Sequence, residues 1–286
     1  MSNSVTSERF CFSVDTLSLI RKHAGSTFVI KYGGSAMKSK SSQLNVIHDI
    51  ALLYLLGIKV ILVHGGGFLI NDWLFKLNIK PKFQRGLRVT DANTMQVVEM
   101  VLSGYVNKNL ISLLNQNDIP AVGLSGKDAN LVIAVPLSQN SNDFTGDVHQ
   151  INLKVLSTLL SNNFLPVISS IASDLRGYTY NLNADTLAGS IASAIKADKL
   201  ILLTDTPGIL YNVNDNSSLI KNINLNKIYD LKSTGAIKDG MIPKVDSCIH
   251  ALNNNVPAVH IIDGRVRYAL LYELLTNDRI GSMLVA

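Results

Sequence analysis

A chain of 286 residues, 47% hydrophobic and only 16% charged, can bury a sizeable core as one large α/β domain or two lobes, and this composition excludes an intrinsically disordered protein. Lys and Arg exceed Asp and Glu by 26 − 21 = 5, yet no basic run or basic helical stripe occurs. This favours an enzyme of anionic ligands over a nucleic-acid binder. No apolar run approaches membrane-spanning length, and Cys11 and Cys248 have neither metal-site nor disulfide-framework spacing, which fits a reducing compartment.

Residues 1–25 carry Phe10, Phe12, Val14, Leu17, Leu19 and Ile20, but Glu8 and Asp15 among them argue against an import signal. Leu17 and Ile20 predict an amphipathic helix outside the catalytic unit, as a packing arm or an oligomer contact. Two apolar strands follow, each ending in a glycine-rich turn: Phe28-Val29-Ile30-Lys31-Tyr32-Gly33-Gly34 and Val60-Ile61-Leu62-Val63-His64-Gly65-Gly66-Gly67. Residues 44–56 between them read as a helix, so the two strands are parallel and both turns open at one edge of the sheet. Each turn runs toward a helix. Two sets of unpaired N–H groups and two positive dipole ends therefore converge, with Lys31 beside them, as an anion hole for a phosphoryl-handling enzyme. Neither turn is a Walker A loop, and Ile70 stands where a dinucleotide fingerprint needs its third glycine.

Further along, residues 68–77 read as a helix and 82–89 as a hairpin around Arg85-Gly86. Thr90-Asp91 offers an N-cap for one long helix to about residue 114. Strands are expected at 120–123, 131–135, 145–151 and 165–169, with a loop at 138–143 and a helix at 155–160. Asp174 to Gly177 is turn chemistry between two short strands. Asn183-Ala184-Asp185 opens a small-residue helix over 188–197, followed by a strand at 200–203 that ends in Thr204-Asp205-Thr206-Pro207-Gly208. Residues 212–226 read as exposed loop and helix start, 245–252 as helix, 258–262 as strand and 268–275 as the last major helix. No short repeat or low-complexity linker forces a domain cut.

Several polar residues stand at strand or hairpin ends. Lys31, between Ile30 and Tyr32, needs an anionic partner if buried. Arg88 sits in an apolar setting and suits a carboxylate. Asp185 is either a helix N-terminal acid favoured by the dipole or a functional carboxylate. Lys244 is either a snorkelling surface lysine or a functional cation.

Taken together, Lys31-Tyr32-Gly33-Gly34, His64 to Gly67, Gly86-Leu87-Arg88-Val89-Thr90, Asn181-Leu182-Asn183-Ala184-Asp185, Thr204 to Leu210 and Asp239-Gly240-Met241-Ile242-Pro243-Lys244 resemble the motifs of the N-acetylglutamate kinase family, within the amino acid kinase superfamily. The resemblance runs from Phe28 to the C-terminus. It implies a three-layer αβα sandwich with a mainly parallel central sheet. Residues 1–26 would form a helical extension for oligomerisation, 27–180 a lobe for acyl-amino-acid binding and dimerisation, and 181–286 an ATP-binding lobe of one continuous fold. The implied activity is ATP-dependent phosphorylation of the side-chain carboxylate of N-acetyl-L-glutamate, the second step of arginine biosynthesis. Mg2+ would travel with ATP, without a dedicated protein metal site.

Carried over by position, the resemblance places Lys31 on the transferring phosphoryl group, Lys244 on the leaving side and Asp185 between them. Gly34, Gly66 and Gly67 would offer backbone donors, and Arg88, Asn181 and Asn183 would grip the acyl amino acid. Asp205, Thr206, Pro207, Gly208, Ile209 and Leu210, with Ala236, Ile237 and Lys238, would hold the nucleotide. The segment before Phe28 resembles the extra helix of hexameric, arginine-inhibited members. Residues 263–282 resemble their inhibitor region, with Glu273 to meet a guanidinium near Gly281. Two positions depart from that pattern: Arg279 stands for a common glycine and Tyr268 for a frequent histidine. The implied partners are a homodimer, extended to a trimer of dimers, and the PII signalling protein of photosynthetic members. Asn-, Ile- and Lys-rich usage, with Asn253-Asn254-Asn255, fits a plastid-encoded enzyme of the chloroplast stroma or a bacterial cytoplasmic one. Carbamate and uridylate kinases share the fold, but the Gly86–Thr90 and Asn181–Asp185 motifs disfavour them. Lys31 and Lys244 disfavour a non-catalytic binding protein.

Overall fold

Near-continuous apolar runs become the middle of a sheet covered on both faces, as parallel strands require. In the computed structural model, which describes residues 13–84, 86–238 and 240–286, α1 (Val14–His23) leads into β1 (Thr27–Tyr32), α2 (Lys40–Leu55), β2 (Lys59–His64) and α3 (Gly67–Lys76). The hairpin β3 (Lys82–Gln84) and β4 (Leu87–Val89) precedes α4 (Ala92–Glu99), a π-helical stretch Met100–Val106 and α5 (Asn107–Asn115). The chain continues through β5 (Ala121–Ser125), β6 (Val132–Pro136), β7 (Thr145–Ile151), α6 (Lys154–Ser161), β8 (Leu165–Ser169), β9 (Ile171–Ser173) and β10 (Thr179–Leu182). Its second half is α7 (Ala184–Ile195), β11 (Lys199–Thr204), β12 (Asn222–Asn224), α8 (Leu225–Ser233), α9 (Met241–Asn253), β13 (Val259–Asp263), α10 (Ala269–Leu275) and β14 (Ser282–Val285). Glu8, Phe10, Cys11, Phe12, Arg85 and Asp239, used in the sequence argument, lie outside the described residues.

Eight strands form the central sheet in the order β12-β14-β13-β11-β1-β2-β8-β5, and every neighbouring pair is parallel except β13 with β14. Period-two alternation splits the apolar side chains between two cores. Phe28, Ile30 and Tyr32 meet α2, α5 and α10, while Val29, Leu200 and Leu202 meet α7 and α9. The result is the expected three-layer αβα arrangement. Lys31 shares the face of Val29 by the same alternation, which sends it toward α7. The chain builds β2, β8 and β5 on one side of β1 and returns to place β11 on the other. This reversal makes the carboxyl ends of β1 and β11 a topological switch point, where open α/β sheets bind ligands.

Several expectations shift. The glycine turn after β1 runs into a single 3-10 turn, Gly34–Met37, and α2 begins only at Lys40 behind its Ser39 cap. One of the two anticipated α-helix dipoles is therefore displaced from the site, whereas α3 does start at Gly67. Asp91 caps α4 as expected, accepting from Thr94 N at 2.8 Å, but the long helix breaks into α4, the π-helical stretch and α5. α7 begins earlier than the apolar pattern indicated because the Asn183 side chain accepts from Asp185 N and Thr186 N at 2.9 and 3.1 Å. α9 likewise starts at Met241, with Pro243 in its first turn, where a missing N–H costs nothing. The short strands around 132–151 and 171–182 close on one another as a small barrel, β10-β7-β6-β9. Among the described residues no helix is long and apolar enough to cross a membrane.

At Gly66 an added Cβ would stand 2.7 Å from Leu102 Cδ2 and 3.2 Å from Val106 Cγ2, both on the π-helical stretch. Gly66→Ala is therefore expected to destabilise the protein by about 1–3 kcal/mol through overpacking. Urea unfolding measures it, and an unchanged midpoint would remove the steric argument.

Candidate active site at the switch point

The site is organised by one carboxylate. Asp185, in the first turn of α7 and 5% exposed, sits 2.9 Å through Oδ1 from Lys31 Nζ on β1 and 2.9 Å through Oδ2 from Lys244 Nζ on α9. A carboxylate this deeply buried needs compensation, and two ammonium groups provide it. Burial alone would push Asp185 up, but the charges of Lys31 and Lys244 overrule it and hold the group at about 2. Burial would also pull Lys244 down; Asp185, with Asp205 behind it, outweighs that and raises it. Lys31 is the more deeply buried ammonium, and desolvation keeps it below its ordinary value in spite of Asp185. The three groups leave one net positive charge.

A cavity of about 260 Å3 opens on this bridge, lined by both glycine turns, Arg88, Asn181 and Asn183. Arg88 Nη2 donates to Gly67 O at 3.1 Å and Asn71 Oδ1 at 2.7 Å, and its guanidinium lies 4.8 Å from the Phe83 ring centroid. Nη1 is buried without a partner, and desolvation pulls the guanidinium down. A buried, unpaired N–H is costly, so this edge of Arg88 is built to receive an anion. Thr90 and Thr145 hydroxyls donate to the Arg88 carbonyl at 3.0 and 2.8 Å, and Asn181 Nδ2 donates to Thr90 Oγ1 at 3.1 Å. Asn71 and Thr145 were not singled out in the sequence because each reaches Arg88 through a tertiary hydrogen bond. His64, conspicuous in its glycine motif, is buried rather than presented to the cavity. Its Nδ1 bonds Gly65 O at 3.0 Å, Asn107 Nδ2 bonds its Nε2 at 3.1 Å, and burial lowers it to about 4.

A second cavity, about 670 Å3, is lined by Asp205, Thr206, Gly208, Ile209 and Leu210, by Ala236, Ile237 and Lys238, and by Lys244. Pro207 is not part of its wall. Gly86, Asn183 and Asp185 line both cavities, so the two spaces meet at the bridge. Asp185 and Asp205 are the carboxylates of its described lining, and among the described residues no three His, Cys, Asp or Glu side chains gather to hold a metal. With both Asp185 oxygens held by lysines, Asp205 is the carboxylate of this wall that would face a divalent cation carried on phosphate oxygens.

Outside the lining of both cavities, Glu273 is buried with its carboxylate already engaged. Oε1 lies 2.7 Å from His260 Nδ1, and Oε2 accepts from Ile280 N at 3.1 Å and Gly281 N at 2.9 Å. Tyr268, one of the two departures from the family pattern, is the N-cap of α10, with φ +60°. Arg279, the other departure, hydrogen-bonds the Asn222 side chain.

A parallel α/β sheet with cations gathered at its switch point defines a class, and comparison makes it particular. The family model for the amino acid kinase family matches residues 26–263. The chain is 54% identical over 279 residues to the acetylglutamate kinase of Gracilaria tenuistipitata var. liui, covering 97% of this chain and 98% of the relative. It is 51% identical over 271 residues to the acetylglutamate kinase of Nostoc punctiforme, covering 95% and 91%. The fold also matches an N-acetylglutamate synthase structure from Neisseria gonorrhoeae, with a TM-score of 0.84 at 24% identity, over 95% of this chain and 62% of that one. The chain belongs to the amino acid kinase family and, within it, to the acetylglutamate kinases.

Replacing Asp185 leaves the buried Lys31 and the half-buried Lys244 without their counter-charge. Asp185→Asn should lose about 3–5 kcal/mol near neutral pH. Because the folded value of about 2 lies below the ordinary 3.8, this stabilisation is present above about pH 4 and fades as pH falls toward 2. Denaturant titrations of both proteins across that range check it; a gap independent of pH would refute the ionic bridge.

Proposed function

We propose that the smaller cavity holds N-acetyl-L-glutamate, the larger holds ATP, and the γ-phosphoryl group crosses between them at the Lys31–Asp185–Lys244 bridge. ATP-dependent phosphorylation of N-acetylglutamate, in arginine biosynthesis, is the activity of this family. The observation that carries the assignment of parts is that Asp185 belongs to both cavity walls while gripping a lysine from each side. A carboxylate acceptor is already a nucleophile, so no general base is needed. The barrier is the approach of one anion to another and their alignment. Lys31 neutralises the phosphoryl group in transit, Lys244 the charge left on the departing diphosphate, and the amides around Gly34, Gly66 and Gly67 add donors. Asp185 stays ionised and aims both ammonium groups. Arg88 Nη1 takes the α-carboxylate, with Asn181 and Asn183 beside it. The same positive wall disfavours the free ammonium of glutamate and admits its neutral acetyl amide. Mg2+ enters with the nucleotide.

Lys31→Ala and Lys244→Ala should each lower kcat by roughly 100- to 1,000-fold, while Arg88→Ala should chiefly raise KM for the acyl amino acid. A coupled ADP-release assay measures all three, and near-normal turnover in both lysine variants would sink the assigned roles. In the same assay N-acetylglutamate should exceed glutamate in kcat/KM by roughly two orders of magnitude or more; a preference for glutamate would overturn the substrate.

The oligomer proposed is a homodimer extended to three dimers by the N-terminal segment. Val14 and Leu17 of α1 are 83% and 55% exposed and Phe75 of α3 is 82% exposed, which supports contacts with further copies. Arginine inhibition at Glu273, PII binding and a plastid or bacterial cytoplasmic setting are parts of the same proposal; algal and cyanobacterial relatives support the last. Sedimentation of the full chain should give a hexamer, and of a chain lacking residues 1–24 a dimer. An unchanged oligomer would reject the role of the segment.

A further inference from the structure

The segment Asp205–Leu210 lies between β11 and the descent to β12, and its own backbone bonds hold only part of it. Thr204 Oγ1 accepts from Thr206 N at 3.1 Å at the near end. At the far end Ile209 N donates 2.9 Å to Ser282 Oγ, Ser282 in turn donates 2.6 Å to Ile220 O, and Ile220 N donates 2.9 Å to Ile209 O. One hydroxyl thus closes a ring of hydrogen bonds around Ile209. Ser282 is fully buried and Ile209 nearly so, which denies these groups water as a substitute partner. Contact is intimate at Gly208 as well: with φ +153°, an added Cβ would run into Ser282 Oγ and lie 3.0 Å from Ser282 N.

Ser282 does not line the nucleotide cavity, whereas Gly208, Ile209 and Leu210 do. Its own place is fixed from the opposite direction. Ser282 opens β14 and pairs with Ile261 of β13. The residue before it, Gly281, donates its N–H to Glu273 Oε2, and Glu273 Oε1 holds His260 of β13. A single buried carboxylate therefore ties together the two strand ends that position the hydroxyl.

We propose that Ser282 is a positioning residue for the nucleotide loop Asp205–Leu210, and that Glu273 sets it through the Gly281 amide. This rests on the proposed binding of ATP along that loop. Removing the hydroxyl leaves the Ile209 N–H and the Ile220 carbonyl buried without partners, so the loop relaxes and the nucleotide meets a misplaced backbone.

Ser282→Ala is expected to raise KM for ATP, and Kd for a non-hydrolysable ATP analogue, about tenfold. KM for the acyl amino acid should stay within about twofold and kcat within about threefold. Ser282→Cys, of the same shape but with a poorer hydrogen-bonding group, should shift ATP affinity in the same direction by less; it also decides the matter if the alanine variant fails to fold. Glu273→Gln should weaken ATP binding too, and the double variant should fall short of the product of the single effects. Unchanged ATP affinity in the serine variants, or equal rises in both KM values, would overturn the role of Ser282; independent effects would overturn the link to Glu273. Hydrogen exchange of residues 205–210 in the native enzyme, with and without the ATP analogue, separates the two levels. Absence of protection on binding would reject the nucleotide placement itself, whereas protection with unaltered affinity in Ser282→Ala would reject only the positioning role.

Discussion

The structure depends on a carboxylate that has been taken out of water. Asp185 can remain ionised in the interior only with cations against both oxygens, and these come from residues far apart in the chain, Lys31 on β1 and Lys244 on α9. Satisfying that one charge pins three elements together. α7 must start where β10 ends, which the Asn183 cap ensures. α9 must lie close against α7, which the bare Cα of Gly189 permits, since a Cβ there would stand 3.1 Å from Ser247 O. The reward of this geometry is an excess of positive charge fixed at the carboxyl ends of two parallel strands.

What the sequence made legible follows from where the physics is local. The runs ending at Tyr32 and His64 announce buried parallel strands, and their glycines announce the turns, because apolarity and backbone freedom are written residue by residue. Lys31 was legible as an ammonium needing a partner, but its partner was not legible from spacing, since Asp185 lies on another element more than 150 residues away; the motif resemblance supplied it. The interrupted helix over 92–115 was hidden for a similar reason. Its π-helical turn brings Leu102 and Val106 against Gly66, a tertiary fit no helical periodicity records. β12 and β14 are three and four residues long and take their pairing from distant strands. The bond of Glu273 to His260 was not legible either, since His260 lies on β13, 13 residues before it, and meets it only in the folded chain.

The proposed acyl side of the site is prepared by its own chain. The Arg88 carbonyl accepts from both Thr90 and Thr145, Thr90 accepts from Asn181, and Asp143 Oδ1 accepts from the backbone of Thr90 and Thr145. One edge of the guanidinium is spent on Gly67 O and Asn71, which fixes its plane and leaves Nη1 as the unsatisfied group. A donor held in place and already desolvated loses little further freedom on binding. In the proposed role, the cations of this wall, Lys31 and Arg88, favour an acid whose amine is neutralised by acylation, since the one carboxylate lining it, Asp185, is already held by two lysines.

The two halves of the site are held by different means, and this bears on where the enzyme can be adjusted. The glycine turns of the proposed acceptor half are locked by strand register and close packing, Lys31 beside Val63, and Gly66 against Leu102. Close packing is stiff and responds to little short of overpacking. The proposed nucleotide half hangs instead on side-chain hydrogen bonds: Thr204 at one end of its loop, Ser282 at the other, and Arg265 Nη2 on the Asp205 carbonyl at 2.6 Å. Two of these anchors sit on or beside the β13–β14 pair, Arg265 just after β13 and Ser282 at the start of β14, and Glu273 joins that pair at His260 and Gly281. In the proposed positioning role, a perturbation of Glu273 reaches the loop 205–210 through two short strands, by hydrogen bonds that include neither the Asp185 bridge nor Arg88.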